Sequence, residues 1–581
     1  MSSALNSGSS TSLVHEGWHH LKSQRPLAAW GSWQRALRAD PDRAVANQAL
    51  STLESAWDLP LAARKPYRLR EPADRSRRAV WDEQMRGSNA QDLETTSELF
   101  GRLAAEDPSD PAAWYNRALC LAWLGKNRES VAGLDRVVNL EAGRAFDQAV
   151  DAWTLAEVLR QGGGAETLAD DLRFACTIAW GPGDTSWLLD EFPEIETVPT
   201  PGAPGDALDE SSRIEVFEWL DRPRSRITDR HPRAADLPIV LASVFISRNS
   251  LRLSSPRVET LERIEEVLFK RLDTGVRSIR REASPLPFPF LDADLWIFRI
   301  PPEVDPDLKD QLQRESVEQY FENQWIHRPR HGLDDRSPLD AARRAQSGDA
   351  AARAKLTAVV RLREQVGSRP SARALYQGYP FDRLRRRLGL ELVDATTVDP
   401  MDLGCAAPDE LDRLDAAVLD DLGLLEAVTS AAGLKDDART ARLASGLVER
   451  RPGAIPPFDL TSVVSALVRN AMSRDDYDGA MSWIDQARSM GDDKTATTLD
   501  VWHAEILARA GRAEAALCVY LRLIKPDTTG AELALDAAET MLDSGHRDQA
   551  ESLLIAARDL GRRFGRHWIE RRARQLLESM Q

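Results

Sequence analysis

The residues AEILARAGRAEAALCVYLRL, at positions 504–523, recur in pattern 34 positions later in the sequence. Both copies carry a small residue, a glycine, a second small residue and a large apolar or aromatic residue at matching places. The matched pairs are Ala504 with Ala538, Gly511 with Gly545, Ala516 with Ala550, and Tyr520 with Leu554. A glycine in the left-handed conformation can end a helix, and small residues let two helix axes approach closely. The pattern therefore predicts two consecutive helical hairpins.

The same spacing fits two stretches near the N-terminus. The segment AWYNRALCLAWLGKNRESVAGLDRVV, at 113–138, repeats the order of aromatic, small, glycine, small and apolar residues. Its packing positions are Trp114, Ala118, Gly125, Ser130 and Leu134. Counting back from Pro41 in the same register adds Gly17, Ala29 and Trp33. We expect all these residues to lie between paired helices.

This arrangement resembles the tetratricopeptide repeat, whose units of about 34 residues each form a helix, a turn and a second helix. The resemblance is to repeat proteins of the bacterial type, and Arg117 departs from the leucine that the family prefers. Stacked repeats of this family bury a continuous core and leave a concave face for a peptide or a helix. The resemblance therefore implies a protein or peptide partner and no chemistry.

A chain of 581 residues is longer than one hydrophobic core usually serves. We predict a mainly α fold, in which two regions of tetratricopeptide-like hairpins, each an α-solenoid, flank a helical central domain. The predicted parts are a disordered tail at 1–12, an N-terminal repeat region at 13–192, a proline- and acid-rich linker at 193–212, a central domain at 213–400 and a C-terminal repeat region at 401–581.

The central domain has no repeat, and its pattern predicts mostly helices. RIEVFEWL, at 213–220, places Ile214, Phe217 and Leu220 on one face of a helix, and VETLERIEEVLFKRL, from 258, is also amphipathic. Prolines exclude a long helix over 285–302, where LWIFRI favours a short strand.

Composition indicates a soluble, cytoplasmic protein. No stretch approaches the roughly 20 apolar residues that span a bilayer, and the first residues lack the apolar core of a secretion signal. The four cysteines contain no C-x-x-C pair, which argues for reduced thiols and against a zinc ribbon. The net charge of −16 is uneven, since 211–400 holds 33 basic and 29 acidic residues. The rest of the chain is therefore strongly acidic, which disfavours the binding of polyanions such as nucleic acids.

His15, Glu16 and His19 spell H-E-x-x-H, the spacing of a zinc-protease helix. Lys22 and Arg25 stand where a metzincin would continue with glycine and a third histidine. The same stretch contains Gly17, a packing position of the predicted hairpin. We therefore expect structural coincidence and no metal, with a metal-dependent hydrolase as a minor alternative.

An arginine-rich segment at 341–390 contains twelve basic and three acidic residues. Its densest part follows Tyr376, Tyr379 and Phe381, and guanidinium groups beside aromatic rings can bind phosphates or stack on bases. The possible partner-binding residues are Arg383, Arg385, Arg386 and Arg387. Docking against acidic parts of the same chain explains them equally well. A nucleic-acid-associated protein is therefore the main alternative function.

The segment YFENQWIHRPRHGLDDRSPLDAARRA, from Tyr320, supplies three more candidate partner-binding residues, Trp325, His327 and Arg328. The spacing from Trp325 to the Ser337-Pro338 pair is similar to the toxin-binding segment of some bacterial antitoxins. The plainer interpretation is a turn that packs two helices, with Ser337 as an N-cap and the tryptophan as core.

No phosphate loop, dinucleotide fingerprint, nucleophile elbow or kinase motif occurs in the sequence. We therefore predict no catalytic residues, no cofactor and no metal. The predicted function is a non-catalytic scaffold that binds peptide or protein partners through concave repeat surfaces.

Overall fold

The computed structural model describes residues 2–41, 44–72, 78–79, 81–82, 92–161, 168–180, 195–197, 215–221, 234, 237–247, 250–271, 276–288, 291, 298–300, 304–450, 457–489 and 493–580. The chain divides into two compact units. Unit 1 comprises Met1–Glu266 and Thr274–Ala395, and unit 2 comprises Val267–Asp273 and Thr396–Gln581. The predicted N-terminal and central domains thus belong to one unit.

Unit 1 begins with a series of helices. These are α1 (Ser2–Lys22), α2 (Pro26–Ala39), α3 (Ala44–Glu54), α4 (Leu61–Arg64), α5 (Leu93–Glu106), α6 (Pro111–Trp123), α7 (Asn127–Glu141) and α8 (Phe146–Arg160). Side chains fix several starts: the Asp110 carboxylate, for example, accepts a hydrogen bond from the Ala112 N–H, and Pro111 occupies the first turn of α6. From α5 to α8 each helix packs against the next.

The N-terminal hairpins lie where the repeat spacing predicts them. Gly125 ends α6 with a φ of 75°, and the buried Ser130 hydroxyl donates to the Ala118 carbonyl across the α6–α7 contact at 2.7 Å. The predicted disordered tail is wrong for residues 2–12, because α1 begins at Ser2. Ser10 is buried there, and its hydroxyl donates to the Ala36 carbonyl of α2 at 3.4 Å. Packing against α2 thus extends α1 into the segment that was predicted to be disordered.

The prediction of a wholly helical central domain is wrong, because six described strands form one antiparallel sheet there. They are β1 (Leu172–Trp180), β2 (Ile195–Thr197), β3 (Glu215–Leu220), β4 (Val240–Ser247), β5 (Ser250–Ser255) and β6 (Val276–Pro285). Their order is β2-β3-β4-β5-β1-β6. β1 falls inside the predicted N-terminal region and β2 inside the predicted linker, whose other residues lie outside the described ones.

The described part of RIEVFEWL, from Glu215, therefore forms strand β3 and not a helix, while Ile214 lies outside the described residues. Phe217 lies opposite Val244 and Trp219 opposite Ala242, and all four are buried. Alternate residues thus face the core, as a half-buried strand requires. LWIFRI is described only from Phe298, which forms an isolated bridge with Ile239.

The remainder of unit 1 is helical. Its elements are α9 (Val258–Arg271), which continues into the residues assigned to unit 2, α10 (Pro306–Gln319), α11 (Pro338–Gln346), α12 (Ala350–Gly367), α13 (Arg373–Tyr376) and α14 (Phe381–Arg387). The prediction of a helix from residue 258 is confirmed by α9. Ser337 caps α11 as predicted, since its side chain accepts from the Asp340 N–H.

Unit 2 is a stack of helical hairpins. Its helices are α15 (Pro408–Arg413), α16 (Asp421–Gly433), α17 (Asp437–Arg450), α18 (Pro457–Met472), α19 (Tyr477–Arg488), α20 (Asp493–Arg509), α21 (Ala513–Leu523), α22 (Thr528–Asp543), α23 (Arg547–Arg563) and α24 (His567–Met580). Consecutive helices pack against each other throughout. The prediction of helical hairpins is confirmed in this unit.

The repeated residues of unit 2 form its core. Gly511 and Gly545 end α20 and α22 with φ angles of 76° and 83°. The matched alanines and the large apolar residues are buried between the helices: Ala504, Ala516, Tyr520, Ala538, Ala550 and Leu554. Among the described residues, no helix is long and apolar enough to cross a membrane. Cys120, Cys176 and Cys405 are buried free thiols, whereas Cys518 is exposed.

Candidate peptide-binding groove

An open groove of about 660 Å³ lies across the first helices of two successive hairpins in unit 2. Val468 and Met472 of α18 and Trp502 and Ile506 of α20 supply its apolar lining. Val468 and Ile506 are buried and form the floor, while Met472 and Trp502 are half-buried at the sides. This volume is within the roughly 300–1,000 Å³ of small-ligand pockets, so it can hold apolar side chains.

Charged side chains surround this apolar floor in opposite pairs. Arg469 donates from Nε to Asp437 Oδ1 at 3.1 Å, and Arg509 donates from Nη2 to Glu505 Oε1 at 2.7 Å. Both arginines are more than half exposed. Exposed pairs of this kind contribute about 0–1 kcal/mol, so a ligand can replace either partner at low cost.

The groove continues along the stack beyond α20. Arg509 also lines a second depression, of about 430 Å³, together with Tyr477 and with Thr540 and Asp543 of α22. The apolar floor and the polar depression therefore adjoin at Arg509. This arrangement offers an apolar anchor site beside groups that can hydrogen-bond an extended backbone.

The lining residues follow the 34-residue repeat register, although the pattern of small residues marks only core positions. Val468 and Trp502 are 34 positions apart, as are Met472 and Ile506, and Arg509 and Asp543. Each pair occupies one place on the first helix of successive hairpins. Large or charged residues that recur every 34 positions on the first helices, outside the small-residue pattern, therefore indicate a lined surface.

A second groove, of about 570 Å³, lies in unit 1 between α5 and α6. Arg117, the residue that departs from the repeat pattern, lines it beside Gly101. Most of the other side chains in its lining are acidic or basic, including Glu98, Arg102 and Lys126. It therefore lacks the apolar floor of the groove in unit 2.

The arginines proposed as a partner-binding cluster pair with carboxylates of unit 1. Arg383 makes a two-point contact with Glu322, with distances of 2.8 and 3.1 Å. Arg385 holds Glu364 in the same way, at 2.5 and 3.0 Å. Arg385 and Arg387 are buried, and Arg387 Nε donates to the Glu322 carbonyl at 3.3 Å.

Arg385 and Arg387 are therefore not exposed, as binding of a partner would require, and the possible partner-binding role is corrected for them, while Arg386 is half-buried. A buried guanidinium needs hydrogen-bond partners, which Glu364 of α12 supplies for Arg385 and the Glu322 carbonyl, after α10, supplies for Arg387. The acidic ends of the chain are not those partners. Together these pairs attach α14 to its neighbours within unit 1.

The aromatic segment before α11 is part of the same interior. Trp325 is fully buried, and its ring lies under the guanidinium of Arg330 at 4.9 Å. His327 and Arg328 are half-buried, and Arg328 Nη1 approaches the Tyr320 hydroxyl at 3.5 Å. The interpretation of Trp325 as core is confirmed, and it is not a surface contact for a partner.

The H-E-x-x-H residues lie on α1, with Gly17 on the packed face of that helix. His15 and His19 are exposed, and Glu16 Oε1 accepts from the Ser32 hydroxyl at 3.3 Å. Burial lowers the pKa of the next residue, His20, although Glu16 lies 3.5 Å away. The described residues contain no group of three or more potential metal-ligating side chains placed to hold an ion.

A buried charge cluster lies where α8 meets the turn before α11. Arg363 pairs with Asp171, Arg330 approaches the same carboxylate at 3.4 Å, and Arg160 approaches Glu157 at 3.2 Å. Burial raises the pKa of Glu157 to about 7, against the opposing charges of these arginines. Burial also acts to raise the pKa of Asp171, but Arg363 and Arg330 outweigh it and lower that pKa.

Comparison with known proteins gives little guidance. No protein-family model matches the chain, and no curated protein matches its sequence. Among solved structures, the chain is similar to the crystal structure of yeast Tom70, with a TM-score of 0.22 and 14% sequence identity over 98% of this chain and 95% of that one. A TM-score this low does not indicate a shared fold, so the groove geometry alone carries the proposal below.

Proposed function

We propose that this chain is a non-catalytic binding protein, and that the groove across α18, α20 and α22 holds an extended peptide segment of a partner protein. The observation that carries the proposal is the apolar floor of the groove, flanked by exposed charged pairs. Trp502 and Arg509 belong to the residue types that dominate protein interfaces. Val468 and Ile506 form a preformed floor for one apolar side chain of the peptide.

A stack of hairpins suits this role because its first helices line up side by side. Side chains that recur in each hairpin then form a continuous strip, which matches the regular spacing of an extended chain. Arg509 and Asp543 can hydrogen-bond the peptide backbone next to the anchor. The alternative of nucleic-acid binding through the arginine-rich segment is less favoured, since Arg385 and Arg387 are buried.

A randomised peptide library displayed on phage tests the proposal with the full chain as bait. We expect enriched peptides to share an apolar residue and to bind Trp502→Ala and Arg509→Glu at least about tenfold more weakly, or ~1.4 kcal/mol. Trp57→Ala is the matched control, because Trp57 is 61% exposed and lies in unit 1. It should bind the peptides as the wild type does.

Melting temperatures of the variants establish that they are folded. Arg509→Glu replaces an exposed side chain, so it reports on binding even if Trp502→Ala loses stability. A library that enriches no peptide, or peptides that bind all three variants equally well, would overturn the proposed function.

A further inference from the structure

The start of the hairpin stack in unit 2 exposes three large apolar side chains. Met401 is 77% exposed, Val418 is 81% exposed and Leu422 is 78% exposed. The end of a repeat stack normally presents a polar outer face, because no further repeat covers it. These side chains form part of an end surface that is left without a partner in the described structure.

The segments that carry these residues are joined to α16. The Gly404 N–H donates to Glu426 Oε1 at 3.0 Å, and the Ser430 hydroxyl donates to the Gly404 carbonyl at 3.2 Å. A side chain added at Gly423 would meet Leu403 at 4.0 Å. The chain just after Met401 therefore lies against the helix that begins beside Leu422.

The same end is strongly acidic. Residues 396–426, which we call the acidic end, contain nine acidic residues and one basic residue, Arg413, a balance of −8. Asp412 pairs with Arg439 of α17 at 2.8 and 2.9 Å, which lowers the pKa of Asp412 through these hydrogen bonds. Asp415 and Asp420, close in sequence to the exposed Val418 and Leu422, are themselves exposed.

The other end of the stack has the opposite charge. Residues 558–574, which we call the basic end, contain seven arginines against Asp559 and Glu570, a balance of +5. Arg563 and Arg574 are exposed there. In the described unit, α24 packs against α23 and α22.

We propose that unit 2 associates head to tail with a second copy of the chain, the acidic end of one copy against the basic end of the other. Opposite charges steer the two ends together, and contact covers Met401, Val418 and Leu422. The helices from α17 to α22 separate the two ends within one stack, so the complement comes from another copy. Because the two surfaces differ, the contact is heterologous and can continue into longer assemblies. The inference does not depend on the peptide groove.

Sedimentation velocity of the full chain tests the proposal over a range of protein concentrations. We expect the average sedimentation coefficient to rise with concentration at low salt, where screening extends over about 30 Å at 0.01 M. At about 1 M salt the screening length falls to about 3 Å, and association should weaken. A chain that stays monomeric at every concentration in low salt would overturn the proposal.

Charge reversal at each end identifies the surfaces. Asp409→Lys with Asp421→Lys at the acidic end, or Arg563→Glu with Arg574→Glu at the basic end, should weaken self-association at least tenfold. Mixing the two double variants should restore association, because the unaltered basic end of one variant can meet the unaltered acidic end of the other. Glu98→Lys with Glu106→Lys, on exposed positions of α5, makes the same change in net charge as the acidic-end variant and should leave association unchanged.

The apolar contribution is tested by Met401→Ser with Leu422→Ser, which should also weaken association. The control pair, Leu521→Ser with Ile555→Ser, changes exposed apolar residues on α21 and α23 and should have no effect. The proposal is wrong if the mixed charge variants remain monomeric, or if both control pairs weaken association as much as the end variants do.

Discussion

The buried carboxyl group of Glu157 should make the stability of unit 1 depend on pH. Its pKa is raised to about 7 from the usual 4.5 of a glutamate, chiefly because burial disfavours the charged form. The charged groups that act on it are Arg160, Asp170, Arg330 and Arg363. A folded-state pKa above the unfolded value means that the folded state binds the proton more tightly. The resulting stability is fully present below the unfolded pKa and is lost as pH rises through the folded pKa.

Glu157→Gln should therefore change the pH profile of stability. We expect the wild type to lose up to about 1.4 kcal/mol of unfolding free energy per pH unit between pH 5 and 7 from this group, and the variant to lack that loss. The variant should match the wild type near pH 5 and exceed it near pH 8. Denaturant unfolding at several pH values measures the difference. A wild type that gains stability relative to the variant as pH rises would mean that the arginines keep Glu157 ionised.

Single residues differ in how far the sequence could predict them. Gly17 was predicted from spacing alone, and a Cβ atom there would lie 2.2 Å from Nε1 of Trp33. The need for a small residue between paired helices recurs in each repeat, so it is visible as a regular spacing in the sequence. Arg363 and Asp171 pair across 192 positions, and no local spacing predicts which charged residues such a fold will bury.

At the scale of the element, the small residues between paired helices set the hairpin geometry. Ala516→Leu should cost roughly 1–3 kcal/mol in unfolding free energy, because Ala516 is fully buried in the α20–α22 core. Ala515→Leu, one position earlier on α21, changes an exposed residue and should cost much less. Chemical denaturation of both variants measures the difference. Equal costs would show that the packed face of α21 is assigned wrongly.

Strand β3 shows why the sequence pattern predicted a helix where the structure has a strand. Over eight residues, Ile214, Phe217 and Leu220 fit a helical face, while Phe217 and Trp219 fit the alternation of a strand. Short apolar segments satisfy both periods. Pairing with β4 decides between helix and strand, and the sequence of the segment alone does not specify that pairing. The repeat hairpins were predictable because the two helices of each hairpin are adjacent in sequence and pack against each other.

At the scale of the whole molecule, repetition made the hairpins of unit 2 predictable from sequence, and the residues that line its groove follow the same 34-residue spacing. Unit 1 joins helices from residue 2 onward to a sheet whose six described strands are spread between residues 172 and 285. The strand order brings β1 between β5 and β6, so residues distant in sequence form one core. The sequence pattern therefore could not show that the predicted N-terminal and central domains are one unit.

Two units with separate cores should unfold in two calorimetric transitions. Gly17→Ala forces a methyl group against Trp33 in unit 1, and Ala538→Leu overpacks the α22 core of unit 2. Each should lower one transition by roughly 2–4 °C per kcal/mol and leave the other in place. Ala515→Leu is the control and should shift neither. If both substitutions lower a single common transition, the two units unfold cooperatively and the division of the chain at residue 395 has no thermodynamic counterpart.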